Sequence, residues 1–543
     1  MKNKIFINDW LELKPQNYNG RTDLYYLKVA NNVYASFGKN KLMLAQLLEA
    51  HDIKQLACFI TCYFEDVLSE TNIWSTFKAQ YAELYHKRLP FFNLDDDYID
   101  DEINQEDVAF LIWYFINALV KDRFISPFNK VIQYLAIDAM EILEEEYEFA
   151  PVNKILKQKF TFESKTKQDE FYVSREFLHL VFFESYLMSP DVKRRLDYDT
   201  LKTIEDHSEA DPEIVMSYIR EITEDYTFNN TSALLALRAK DWAKLVLGKK
   251  HPSYDAVASI SKKVQGLFLY KSQDENYVFI EHIASGMVFE MTKKSFDHYD
   301  TLNDDDILYI GLVKFNDEWW FSGNYYANSF DADTVLDQRN DATQRSKVNF
   351  LNDQNQVECI LEQQTKAFLN YNEQSLVAFL KNSELDDFIK GWASFFNDSL
   401  ELSANETDAA HQRTKEDGYF GNQNKSLFFD ENTEAAEEIT VVFFNPKSGI
   451  EFYNAIENAF PDHRNAFFTE ESHQELTHIL MSDTCSTELA LFLVDNYKDK
   501  LDYFKKEPYK SYLNDLDFLL RFWKKGNYET ENTVVLTGSK DDI

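Results

Sequence analysis

Two adjacent carboxylates, Glu65 and Asp66, stand in the dense run Cys62-Tyr63-Phe64-Glu65-Asp66-Val67. On a helix, Glu65, Ser69 and Asn72 share one side, near Trp74. A carboxylate pocket lined by aromatics is suited to acid–base chemistry or to holding a divalent ion. The competing reading is the polar edge of a packed helix, which weighs more in a chain with 93 acidic residues. A second candidate is the turn Asn445-Pro446-Lys447-Ser448-Gly449. Read as a turn between a strand and a helix, it would offer backbone N–H groups, Asn445, Ser448 and the Lys447 ammonium to an anion. It lacks the GxxxxGK[ST] pattern of a phosphate-binding loop, and a plain connecting turn is the heavier reading. A third is the aromatic cluster Trp319, Trp320, Phe321, Tyr325 and Tyr326. Alternation along a strand sends Trp319 and Trp320 to opposite faces, one into a core and one outward. An outward Trp beside Tyr325 or Tyr326 would be a peptide-docking surface; covered by a neighbouring helical region, it is scaffold.

His473 and His478 are five apart, which places them on different helix faces and excludes an HExxH zinc site. No GxSxG, GxGxxG or kinase motif set occurs. No motif therefore marks a catalytic residue, and no metal ligand or cofactor is assigned; a Ser/His/Asp or Cys/His site assembled from distant residues stays open.

The elements that would position these residues follow from hydrophobic period. Residues 1–255 read as a helical domain. Leu56, Phe59, Ile60, Tyr63, Phe64, Val67 and Leu68 recur at helical spacing, and the stretch from Asp107 to Val120 is apolar on all sides, as a central buried helix is. Asp95 to Asp107 holds eight acids and no base, and reads as a solvated loop. Near Val264 the pattern changes. Five short runs, 264–270, 277–283, 287–291, 307–315 and 319–325, are rich in β-branched and aromatic residues and are separated by turn signals. They predict a small five-stranded β-barrel of the SH3 or OB kind within 262–330. A polar stretch from Asp331 to Asn349 links it to a helical segment at 350–400. Ser403 to Asp417 reads as a flexible linker. Residues 425–528 read as a mixed α/β domain, with a strand at Ile439–Phe444, a short helix at Ile450–Ala459 and three further helices. Residues 529–543 read as a flexible tail. The fold class is multidomain α+β.

Composition bounds the function. The 543 residues carry 56 Lys and Arg against 93 Asp and Glu, a formal net charge of -37. Phosphate backbones and anionic membranes are poor partners for such a chain. The predicted barrel holds six Lys against eleven acids from Lys262 to Ala327, which disfavours a nucleic-acid role for its aromatics. The four cysteines, Cys58, Cys62, Cys359 and Cys485, do not suggest a disulfide framework. Met1 to Trp10 meets Asn8 and Asp9 before any apolar segment of a secretion signal. The longest apolar run, Val108 to Val120, is too short to span a bilayer. The expectation is a reduced, cytoplasmic protein.

Three segments together resemble a large family of uncharacterised bacterial proteins, of the kind found in gut bacteria, that carries a domain of unknown function. They are Ala57 to Val67 with Asn72-Ile73-Trp74, Val108 to Tyr114, and Asp517 to Lys524. The likeness spans about Tyr25 to Tyr528 and transfers no activity or ligand. Two functions from different classes remain. The first is an acidic binding or adaptor protein that engages a protein partner with a basic surface. The alternative is a metal-dependent hydrolase using carboxylates such as Glu65 and Asp66. A DNA mimic fits the charge but not the many aromatics.

Overall fold

A computed structural model describes residues 4–18, 20–94, 96–120, 123–162, 169–296, 302–349, 354–400, 405, 408, 437–469, 473–507, 509–528 and 530–533. The polar segment 403–417 lies outside the described residues except for 405 and 408, as do 529 and 534–543 of the tail. The chain divides into two compact units. The first comprises residues 1–262, 314–317 and 514–525; the second comprises 263–313, 318–513 and 526–543.

The first unit is helical. Its α-helices of five or more residues include α1 (Ile7–Leu11), α2 (Asp23–Ser36), α3 (Ala50–Ser69), α4 (Ile73–Tyr85), α5 (Gln105–Leu119), α6 (Lys130–Glu146), α7 (Lys154–Lys159), α8 (Glu170–Phe183), α9 (Arg194–Asp206), α10 (Pro212–Phe228), α11 (Ala239–Leu247) and α12 (Tyr254–Ser259). The closing helix α19 (Leu516–Trp523) also belongs to this unit. α5 is apolar on every side because it is surrounded: Val108 to Ile116 are all buried. Its rings are the hub of an aromatic core. Phe110 meets Phe77 at 5.3 Å and Phe518 at 6.0 Å between ring centroids, and Trp113 meets Phe522 at 5.0 Å. The three segments singled out in the sequence thus share one packed core.

The acid-rich stretch before α5 is a loop whose acids Asp96, Asp97, Asp100, Asp101 and Glu102 are exposed, as expected, but it is anchored from within. Tyr98, Ile103, Asn104 and Asp107 are buried. Composition marks the exposed acids correctly, but the interleaved Tyr, Ile and Asn turn inward and carry the chain down to α5.

A buried ion cluster fastens the unit's C-terminal end. Asp191 accepts from Arg195 Nε at 2.9 Å and from the Ala233 N–H at 2.5 Å, with Lys525 Nζ 3.4 Å away. Burial pushes its carboxyl pKa up, but Lys525, Arg195 and the Ala233 N–H more than offset this, so the net shift is downward.

In the second unit, five strands close into a barrel: β1 (Val264–Gln273), β2 (Tyr277–His282), β3 (Val288–Thr292), β4 (Ile307–Phe315) and β5 (Glu318–Asn328). The order is β1-β2-β3-β5-β4, with β4 returning to β1. β3 and β5 run parallel and the other paired strands for which a register is given run antiparallel. A β1-β2-β3 meander closed through β4 and a parallel β3–β5 pair is the Greek-key connectivity of an OB-type barrel. Asn316 and Asp317, both with positive φ, form the two-residue turn between β4 and β5. Phe268, Val278, Ile280, Phe289, Met291, Leu308, Ile310 and Leu312 fill the barrel. Gly311 is required in its wall, because a Cβ there would lie 2.6 Å from the Ser322 carbonyl oxygen.

Beyond the barrel, the stretch expected to be a polar link is helical, as α13 (Ala332–Asn340) and α14 (Ala342–Asn349). Asp331 caps α13 through the Thr334 N–H at 3.0 Å. The segment expected to be helical at 350–400 holds α15 (Gln354–Tyr371) and α16 (Leu385–Ser399), but strand β6 (Val377–Lys381) lies between them. β6 pairs with β7 (Ile439–Asn445), and β7 with β8 (Gly449–Asn454), in an antiparallel three-stranded sheet. α17 (His473–Met481) and α18 (Thr487–Tyr497) follow. The expected helix at Ile450–Ala459 is therefore β8 and a short 3-10 turn, Glu457–Ala459. Ile450, Glu451, Phe452 and Tyr453 alternate with period two, a signal outweighed by the short length of the run.

The Asp191 cluster predicts a particular acid response. A carboxyl pKa held below its unfolded value contributes stability above that unfolded value, near 4, and loses it as pH falls through the folded value. Asp191→Asn should therefore lower stability at neutral pH and flatten the acid limb of a pH–stability profile. Thermal melts across that range check this; an unchanged acid limb would contradict it.

Candidate functional site

Glu65 and Asp66 both leave α3 into the protein interior, at 0 and 2% exposure. They diverge to separate partners. Glu65 forms an ion pair with Lys14, itself buried, and accepts from Asn153 Nδ2 at 2.6 Å. Asn153 also bonds Tyr18 and caps α7 through the Leu156 N–H. Lys14 lies 4.1 Å from the ring centre of Trp10, whose Nε1–H donates to Asp23 at 2.9 Å. Burial alone would lower the Lys14 pKa, but its neighbours Cys62 and Glu65 reverse this and raise it. Burial pushes the Cys62 thiol up to about 12. This corner is a buried ion pair beside a protonated thiol. Neither a free base nor a nucleophilic thiolate results.

Asp66 has a different task. It accepts from the N–H groups of Ile73 at 3.3 Å and Trp74 at 2.7 Å, from the Tyr186 hydroxyl at 3.0 Å, and from the Thr71 hydroxyl. Two of these are first-turn N–H groups of α4 that have no partner within the helix. Burial raises the Asp66 pKa, and the four donors pull the other way. The neighbouring Trp74 then reaches Asp107 through its indole N–H at 3.0 Å. Asp107 also accepts from Tyr63 at 3.0 Å and Tyr98 at 2.7 Å, with Lys78 at 3.8 Å. Trp74 therefore joins two buried carboxylates. Sequence reasoning placed Trp74 near Glu65 and Asp66 but missed Lys14, Asn153, Asp107 and Tyr186. Nothing in their local sequence marks them, because each arrives from a distant segment.

The turn at Asn445 joins β7 to β8, and is not a strand-to-helix turn. The structure does bring Asn445, Lys447 and Ser448 together, around carboxylates of the chain itself. Glu451 accepts from Asn445 Nδ2 at 2.8 Å, Ser448 Oγ at 3.0 Å, Tyr453 OH at 2.7 Å and Ser486 Oγ at 2.6 Å. Glu488 pairs with Lys447 at 3.1 Å and accepts from Thr530 at 2.8 Å. The donors expected to meet an external anion thus clamp the hairpin to α18 and to Thr530. Ser486 also caps α18 through the Leu489 N–H.

Trp319 and Trp320 do lie on opposite faces of β5. Trp319 packs into the barrel core, 4.9 Å from Phe289. The outward Trp320 is covered, at 3% exposure, with Lys294 Nζ 5.7 Å from its ring centre. Tyr325 packs on Phe296 at 5.1 Å, while Tyr326 is 45% exposed beside Tyr309, at 6.4 Å. Among the described residues of the five strands, the exposed aromatics are Tyr309 and Tyr326, with neither tryptophan among them. His473 and His478 lie exposed on α17, apart from one another. Among the described residues, no three His, Cys, Asp or Glu side chains gather as a metal ion would require.

Two stability series follow from these contacts. Lys14→Met strands Glu65 in the interior and should cost about 3–5 kcal/mol, and adding Glu65→Met should recover most of it. Urea unfolding of the three proteins measures the coupling; additive losses would show that the pair is not a unit. Trp320→Ala should cost about 3–5 kcal/mol, by the arithmetic of large-to-small changes in a core. Tyr326→Ala should stay within about 0.5 kcal/mol. Equal melts for these two barrel variants would contradict the burial of Trp320.

No curated protein and no solved structure is similar to this chain. A family model described as "Protein of unknown function (DUF3843)" matches residues 4–314. The match takes in α1 to α12 and the barrel through most of β4, and stops before the closing helix that packs on Phe110. It covers more than half of the sequence, and the chain belongs to that family.

Proposed function

We propose that this chain is an acidic binding or adaptor protein that engages a protein partner bearing a basic surface. The observation that carries this reading is the internal commitment of the carboxylates best placed for chemistry. Glu65, Asp66, Asp107 and Glu451 each accept from two or more donors of the chain itself. Catalytic acids and bases need a pKa matched to turnover and an approach for substrate. These four are spent on holding helices and a hairpin. That weighs against the hydrolase alternative at Glu65 and Asp66, whose side chains diverge to different partners.

The net charge of -37 then supplies the recognition chemistry: long-range attraction to a cationic partner, fast association and strong salt dependence. Nucleic acid and membrane surfaces fall outside this reading on the same electrostatic ground. No helix of the described residues is long and apolar enough to cross a membrane. A bacterial cytoplasmic setting completes the proposal, supported by the sparse cysteines and the family likeness.

Affinity capture from the native host at low and high salt tests it. The expected result is a specific protein with a basic face, whose association rate falls steeply with ionic strength while duplex DNA shows no sub-micromolar binding. A partner with an acidic face, a salt-independent on-rate, or tight DNA binding would overturn the proposal.

A further inference from the structure

Tyr198, Leu201 and Ile204 stand at every third position of α9 and therefore line one side of it. The other side is turned to α10. Asp199 accepts from the Tyr226 hydroxyl at 2.6 Å, Arg195 lies 5.5 Å from the ring centre of Tyr226, and His207, just past the end of α9, packs on Tyr218 at 4.7 Å between ring centroids. At about 100° per residue, Leu201 lies across the helix from Asp199, so the apolar stripe points away from α10. Tyr198 is 65% exposed, Leu201 60% and Ile204 43%. α9 buries none of its described residues. A surface helix ordinarily sets its apolar stripe against a core. Lone exposed apolar side chains need no account, but three on one helix face form a patch that marks an interaction surface.

Charge identifies the occupant. From Thr203 to Ile219 the chain holds five acids, Glu205, Asp206, Glu209, Asp211 and Glu213, and no Lys or Arg. All five are exposed. Asp211 caps α10 through the Glu213 N–H at 2.8 Å. None of the five forms an ion pair among the described residues. At the other end of the stripe Arg194 pairs with Asp52 at 2.5 Å, and Lys202 is the cation beside its middle. The turn end of this face is thus apolar and anionic together. A second copy would offer that end either the same five acids or the end with Lys202, and neither matches five negative charges.

We propose that the outer face of α9, with the acids of the α9–α10 turn, docks a basic amphipathic helix of a partner protein. The surface so assigned rests on the reading of the chain as a binder of basic proteins. Apolar residues of the partner, at helical spacings of three and four, lie along Tyr198, Leu201 and Ile204. Tyr198 is the aromatic anchor, since Tyr gives a large contact area for little ordering cost. Lys and Arg at one end of the partner helix meet the acids of the turn, which steers approach and fixes direction.

The probe is a fluorescent synthetic peptide of about 18 residues, with Leu and Lys ordered so that Leu forms one helical face. Its control has the same composition in scrambled order, which keeps the charge and loses the face. Both are titrated by anisotropy into the full-length chain at two salt concentrations. The ordered peptide should bind the more tightly. Tyr198→Ser with Leu201→Ser should weaken it at least about tenfold and leave the melting temperature unchanged, because neither side chain is buried. Leu336→Ser, at an exposed site on α13, should change nothing. Glu205→Gln with Glu209→Gln should slow association and flatten its salt dependence. In the unaltered chain, the ordered peptide should protect residues 196–206 from hydrogen exchange, a readout that holds even if the double variant does not fold. Equal affinity for the two peptides, or ordered-peptide binding that the folded variant leaves unchanged and that does not protect α9, would overturn this surface and leave the reading of a basic partner standing. Failure of both peptides to bind at low salt would overturn the two together. A dimer in sedimentation that the Tyr198 and Leu201 changes dissociate would also overturn it, and would assign the face to a second copy.

Discussion

A carboxylate taken out of water must find donors, and in the helical unit that requirement ties together segments the sequence keeps far apart. Asp66 is the clearest case. It sits near the end of α3, satisfies the first free N–H groups of α4, and receives the Tyr186 hydroxyl from a segment 120 residues away. Trp74 extends the arrangement, with its backbone N–H on Asp66 and its indole N–H on Asp107. One residue thus fixes the α3–α4 corner against the start of α5. The aromatic core built on Phe110 and Trp113 supplies most of the burial, but packing of rings alone tolerates alternative registers. The carboxyl groups admit few, since each shift would leave a buried polar group without its donors.

The same logic separates what was legible in the sequence from what was not. The barrel was legible almost strand for strand, because short alternating runs bounded by turn pairs such as Asn316-Asp317 are local signals. Its OB connectivity was not, since the parallel β3–β5 pair depends on contacts outside any one run. α5 announced itself by being apolar on all sides. β8 was misread because six residues beginning at a glycine suit either a helix start or a strand, and only its pairing with β7 decides between them. β6, inside a helical region, fails for the same reason. Trp319 and Trp320 show how far alternation reaches: it assigned their opposite faces correctly, but whether the outward face is wet is a tertiary fact.

Functional candidates fared differently from folds. The sequence singled out Asn445, Lys447 and Ser448 as anion-binding groups, and they do bind an anionic group, the Glu451 and Glu488 carboxylates of the same chain. Donor chemistry at a turn is readable from residue types; the identity of the acceptor is not, when it lies a few residues on in a strand or some forty residues on in a helix. Glu65 and Asp66 illustrate the complementary limit. Adjacent positions on a helix point about 100° apart, so two neighbouring carboxylates are poorly placed to share a substrate and well placed to serve two neighbours.

Charge patterning remains the property that internal contacts do not absorb. A net charge of -37 must be borne mostly on the outside, where self-repulsion opposes compactness and is relieved by counter-ions or by a cationic partner. The acids that the fold buries are met by its own cations and donors, as Glu65 is by Lys14 and Asp191 by Arg195 and Lys525, so the exposed remainder sets the field that any partner meets.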